Sequence, residues 1–230
     1  MSTKPKNQCI FAIFLSLLVI SCGQGEKKAD DSKTADSAAT GKTDTAQTAA
    51  TATMIDAVKA APGLYTTVQD TLGIRILKAD YKPGDSSILH SHPDYALYCI
   101  EGGGKTEFTT KDGNKIVTEM KSGEENIRPS EFHSVKNIGK TEVKVLLVEV
   151  NRPIGSTTLD ASMDASKVAP DIYKVIKDTM GIRILEGTYK PGQSSPMHSH
   201  PDLALYVISG GSSEFTGKDG KKVGNSCIRS

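Results

Sequence analysis

Read as a string of apolar and polar positions, the chain falls into three regimes. Residues 10–20 are almost wholly apolar and follow Lys4 and Lys6. Residues 23–53 carry no aromatic side chain and almost nothing that could be buried. From residue 54 onward, short apolar or alternating runs rich in β-branched residues are cut at close intervals by Gly, Pro and Asp-Gly. IRILKADY (74–81) and VKVLLVEV (143–150) are the clearest of these runs. Such texture predicts strands rather than helices. Lys111-Asp112-Gly113-Asn114, set between FTT and KIVTEM, predicts a hairpin because Asp-Gly suits the left-handed turn conformation. Pro83-Gly84 and Lys121-Ser122-Gly123 predict further turns. The one helical signal is the short MIDAVKAA that precedes the first strands.

The strand-rich region repeats itself at an offset of 108 residues. Over 56–103 and 164–211, 30 of 48 aligned residues are identical. Beyond them, Glu107-Phe108 aligns with Glu214-Phe215 and Lys111-Asp112-Gly113 with Lys218-Asp219-Gly220. The first copy continues to Val150, whereas the second has no counterpart of residues 116–150. The expected fold class is therefore all-β, with tandem barrels closed by two sheets to protect their edges and the second one incomplete. The expected segments are 1–21, 22–53, 54–158 and 159–230.

The N-terminal regimes speak of location. An apolar run of eleven residues is too short to cross a bilayer, which needs about 20. Its length and basic start fit a signal peptide. Its ending, Val19-Ile20-Ser21-Cys22, resembles the bacterial lipobox. That resemblance implies cleavage before Cys22 and lipidation of its thiol, hence a lipid-anchored protein of the bacterial cell envelope, in the outer membrane or facing the periplasm. Residues 22–53 would then be a disordered tether, since ordering them would cost entropy with no apolar burial in return. A flexible chain of that length reaches about 30 Å.

Charge excludes one class. Lys plus Arg total 28 and Asp plus Glu 27, and no segment is markedly basic, so nucleic acid is not an expected partner. Cysteine chemistry is equally sparse. Cys99 aligns with Val207, which predicts a buried core thiol.

All five histidines fall in three places: His90 and His92, His198 and His200, and His133. In a strand, residues two apart share a face, so each His-x-His sets two imidazoles side by side, as adjacent metal ligands require. Gly84-DSSIL-His90-Ser-His92-PDYALYCIE-Gly102 and Gly123-EENIR-Pro129-SEF-His133-SVK-Asn137 together resemble the two motifs of the cupin superfamily. The resemblance covers most of 60–150 and the matching part of 168–223. It implies a small jelly-roll barrel per copy and a metal in the barrel mouth, held in the first copy by His90, His92 and His133. His198 and His200 would form a weaker pair.

One departure matters. Where the family places a Glu ligand, this chain has Ala96 and Leu97, and Ala204 and Leu205 in the second copy. Three imidazoles without a carboxylate suit a divalent Fe, Zn, Ni or Cu ion and lack the oxygen ligand that favours Mn. The leading expectation is a metal-binding envelope lipoprotein that takes a small molecule in its barrel. A three-His enzyme, a dioxygenase or isomerase, is the alternative, because three ligands leave coordination positions open. Tyr98, Tyr206, Arg128 and Glu131 are acid–base candidates by sequence proximity alone. A metal-free structural protein is the third reading. Expected partners are the small ligand, the membrane through Cys22, and a second copy of the chain in a homo-oligomer.

Overall fold

A computed structural model describes residues 9–11, 55–152 and 160–226. The signal-peptide ending, Cys22 and the proposed tether lie outside the described residues. Cys9–Phe11 (β1) pairs antiparallel with residues 205–207 of the second copy.

In the first copy the MIDAVKAA signal becomes one turn of helix, α1 (Ala57–Ala60), capped by the Asp56 carboxylate on the Val58 N–H. Nine strands follow: β2 (Tyr65–Thr71), β3 (Ile74–Tyr81), β4 (His90–His92), β5 (Tyr95–Glu101), β6 (Gly104–Thr110), β7 (Lys115–Met120), β8 (Glu125–Arg128), β9 (Glu131–Asn137) and β10 (Val143–Val150). They form two antiparallel sheets, in the orders β2-β3-β10-β5-β8 and β4-β9-β6-β7. Consecutive strands cross repeatedly from one sheet to the other, as in a jelly roll. The expected hairpin joins β6 to β7, with Gly113 at φ +81°.

Alternation decides what the sheets enclose. Along β10, Val143, Val145, Leu147 and Glu149 are buried while Lys144 and Val148 between them are partly exposed. Leu77 and Ala79 from β3, Tyr95 and Cys99 from β5, and Val135 from β9 join them in one core cluster, with Phe108 and Met120 packed against it. Residues from both sheets interdigitate there, so burial on one face of each sheet stabilises the pair together. Cys99 is a fully buried thiol, as its alignment with Val207 predicts. Close approach explains Gly102: a Cβ there would lie 2.2 Å from the Met120 carbonyl oxygen.

The second copy has the same beginning. A 3₁₀ turn (Ala161–Met163) and α2 (Ala165–Val168) lead into the hairpin of β11 (Tyr173–Thr179) and β12 (Ile182–Gly187). Then come β13 (Leu205–Val207) and the hairpin of β14 (Ser212–Thr216) and β15 (Lys222–Ser226), which repeats the register of the β6–β7 hairpin. Residues 223–226 are thus a counterpart of 116–119 that the sequence alignment missed, because the pairing is made by the backbone while the side chains differ. These are separate two-stranded pieces, and no facing sheet closes over them among the described residues. Among its described apolar side chains only Ala165, Ala169 and Ile172 are buried, whereas Ile184 and Leu205 are half-buried. The copy rests on the first through Tyr98 and Tyr206, whose rings are 5.4 Å apart, and through the Lys177 ammonium on Asn126 at 2.7 Å.

Candidate metal centre

The three histidines of the first copy arrive by two strands. β4 places His90 and His92 on one face, and β9 pairs with it so that His90 stands opposite His133 and His92 opposite Glu131. Four side chains thus occupy a square on the inner face of the smaller sheet. One ring nitrogen from each of His90, His92 and His133 lies within 4.8 Å of the other two. The ring centroids are 4.9, 4.9 and 5.2 Å apart, and all three residues are buried.

Hydrogen bonds assign the free nitrogens. His90 Nδ1 is 2.8 Å from the Ile88 carbonyl and so carries its proton, leaving an Nε2 lone pair. The Tyr65 hydroxyl is 3.1 Å from that Nε2 and accepts in turn from the Tyr81 hydroxyl. His92 Nδ1 is 2.6 Å from Glu149 Oε1, which leaves its Nε2 buried without a partner. His133 Nδ1 is likewise buried and unpartnered; Glu131 Oε2 is 3.5 Å away, close enough for attraction but not a hydrogen bond.

Burial sets the charge. It pushes the His90 ring down to about 4, helped by the neighbouring His92 and His133 and opposed by the Ile88 carbonyl. Burial also lowers His133, against the pull of Glu131. Both rings are therefore neutral near pH 7, the form that ligates a metal. Buried polar atoms are nearly always satisfied, yet His92 Nε2 and His133 Nδ1 are buried here without a partner. An all-imidazole set of this kind fits a divalent ion such as Zn, Fe, Ni or Cu. These residues fit the expected group.

Two carboxylates stand beside the rings: Glu131, a candidate by sequence proximity alone, and Glu149, which the sequence analysis did not place there. Glu149, fully buried on β10 of the opposite sheet, bonds His92 with Oε1 and the Arg75 guanidinium with Oε2 at 2.6 Å. The signal existed: Glu149 is in phase with Val143, Val145 and Leu147, so a strand with those residues inside must also put a carboxyl inside. Glu131 accepts two hydrogen bonds from Arg128, at 2.8 and 2.9 Å, and one from the Tyr95 hydroxyl at 2.5 Å. Burial opposes its charge, yet nearby His133, Arg128 and Tyr95 together hold its carboxyl well below the usual carboxylate range.

Other candidates go elsewhere. Tyr98 and Tyr206 pair with each other between the copies, on the outer face of β5, because Tyr95, Leu97 and Cys99 take the inner one. Asp94 accepts the Ser130 N–H at 2.7 Å and Asp202 pairs with Arg152, so neither carboxylate turns to the rings. In the second copy His198 and His200 are half-buried, their rings 4.8 Å apart, with no third histidine beside them.

Below the rings lies a cavity of about 30 Å³, lined by His92 and His133 and otherwise mostly by apolar and aromatic residues such as Phe108, Met120, Val145 and Leu147. That is room for one or two water-sized groups, far below the several hundred Å³ of ordinary small-molecule pockets.

No protein-family model matches this sequence, and no curated protein matches it. Among solved structures it is similar to a cupin-domain protein from Bordetella pertussis Tohama I, at 22% identity over 39% of this chain and 93% of that one, with a TM-score of 0.36. It is also similar to an uncharacterized conserved protein with a double-stranded β-helix domain from Klebsiella pneumoniae, at 25% identity over 39% of this chain and 80% of that one, TM-score 0.32. A cupin superfamily protein from Desulfitobacterium hafniense shares 16% identity over 39% of this chain and 77% of that one, TM-score 0.31.

Proposed function

We propose that this chain is a metal-binding protein of the cupin type, anchored to the bacterial cell envelope through a lipid on Cys22, whose first barrel holds one divalent transition metal on His90, His92 and His133. One observation carries this reading: three buried imidazoles bring one ring nitrogen each within 4.8 Å of the other two, and His92 Nε2 and His133 Nδ1 are buried without a hydrogen-bond partner. A metal-free structural barrel would leave His92 Nε2 and His133 Nδ1 unpaired, at a cost of about 1–3 kcal/mol each. The cavity beside the rings means that a ligand reaching the metal presents a single small donor group. The test is metal content by mass spectrometry of untagged protein. One equivalent is expected in wild type, none in His133→Ala, and one in His198→Ala; equal content in wild type and His133→Ala rejects the reading. Anchoring is tested by Cys22→Ala, which should fail to take up labelled palmitate and leave the membrane fraction.

A second reading, a metal-dependent dioxygenase or isomerase, draws support from the Glu131–Tyr95–Arg128 cluster beside His133, which supplies a held carboxylate next to open coordination positions. Oxygen uptake by metal-loaded protein across a panel of small substrates, abolished in Glu131→Gln, is its expected signature.

A further inference from the structure

Resting on the metal reading above, we propose that Glu149, held by Arg75 and Asp56, is the positioning residue that fixes the His92 ring for the metal. A continuous chain of contacts links the ring to the surface. His92 Nδ1 donates to Glu149 Oε1 at 2.6 Å, Arg75 donates to Glu149 Oε2 at 2.6 Å, and the same guanidinium reaches Asp56 at 2.5 Å. Exposure rises along it, from nothing at His92 and Glu149 to 15% at Arg75 and 28% at Asp56. With Nδ1–H committed to a fixed oxygen from the opposite sheet, the lone pair of His92 is confined to Nε2 and aimed at the other two rings.

The same N-terminal segment grips the ligand strand directly. The Ile55 carbonyl accepts from the Ser91 backbone N–H at 2.9 Å and from the Ser91 hydroxyl at 3.2 Å. Ser91 stands between the two histidines, so residues 55–56 hold both their backbone and, through Arg75, the oxygen that orients one ring. An internal control lies in the second copy. There Met163 and Ser199 repeat the backbone contact at 2.8 Å, and Asp164 and Arg183 repeat the ion pair at 2.6 Å. Among the described residues nothing there corresponds to Glu149, and the Arg183 Nε turns instead to Asp178, its cross-strand neighbour, at 2.7 Å. Arg75 has the equivalent neighbour in Asp70 but gives its Nε to Glu149.

The experiment uses the full chain, with Zn²⁺ affinity measured by chelator competition and the His92 tautomer read from long-range ¹H–¹⁵N spectra of metal-free protein. Glu149→Gln should weaken Zn²⁺ binding by about 10–100-fold and change the His92 ring signals from those of a locked Nδ1–H form. Asp56→Asn keeps a residue able to cap α1 and should lose about three- to tenfold, with a partial change in the same signals. Should Glu149→Gln fail to fold, Asp56→Asn decides on the same two readouts. Affinity within twofold of wild type overturns the proposal, as does lost affinity with an unchanged His92 tautomer, which would mark Glu149 as merely structural. Wild-type protein that takes up no Zn²⁺ sinks the metal reading alone, because the tautomer comparison needs no metal.

Discussion

The two copies begin alike and end in different environments. In each, a His-x-His pair sets its rings 4.8–4.9 Å apart, and the first histidine bonds the carbonyl two residues back at 2.8 Å. That arrangement is local and survives without neighbours. What differs is everything that neighbours supply. His90 and His92 lie in a strand because β9 pairs with it, and they are buried because β10 and the opposite sheet cover them. His198 and His200 belong to no strand and are half-buried. The comparison separates a ligand pair, which a few adjacent residues can make, from a ligand site, which needs two sheets.

The sharpest way to break that comparison is to cut it. Residues 55–152 alone should unfold in one cooperative transition followed by circular dichroism and tyrosine fluorescence, and residues 160–226 alone should show none. A cooperative transition from the second fragment as a soluble monomer would mean that its open sheet faces matter less than their exposure implies. A paired substitution comes next. Leu77→Ala removes a fully buried side chain and should cost about 2–5 kcal/mol in urea denaturation, while Leu185→Ala, at the equivalent half-buried position, should cost about 1 kcal/mol.

Acid sharpens the contrast further in metal-free protein. The His90 ring is held at about 4 in the folded state against 6.5 when free. Between those values the unfolded chain binds the extra proton, so stability falls as pH drops from about 6.5 to about 4 and changes no further from this group below that. The loss should be on the order of 3 kcal/mol, and burial of His133 adds to it in the same direction. Denaturation midpoints across this range in wild type and His90→Gln check it, the variant showing the shallower dependence. The smallest effect belongs to the seam between copies. Arg152 and Asp202 form an exposed ion pair, so Asp202→Asn should cost less than about 1 kcal/mol and leave metal content unchanged.

Much of this was already legible in residues close together along the chain. Period-two alternation in 74–81 and 143–150 determined the strands β3 and β10, Asp112-Gly113 the hairpin, and the spacing of His90 and His92 their common face, because each depends only on how adjacent peptide units are built. Alignment of Cys99 with Val207 marked a core thiol for the same reason: side-chain volume tolerated at one position is a local fact. Pairing across sheets was not legible. Glu131 reached the fourth corner of the ligand square through the β4–β9 register, and Glu149 met His92 because the last strand lies in the sheet opposite the histidines. Tyr98 was sent outward, to Tyr206, by the same alternation that turned Tyr95 inward to Glu131. Sequence spacing states which way a side chain points from its own strand; only the packed sheets decide what it meets there, since partners 36 to 74 residues away are brought within 3 Å by burial that no local segment can achieve alone.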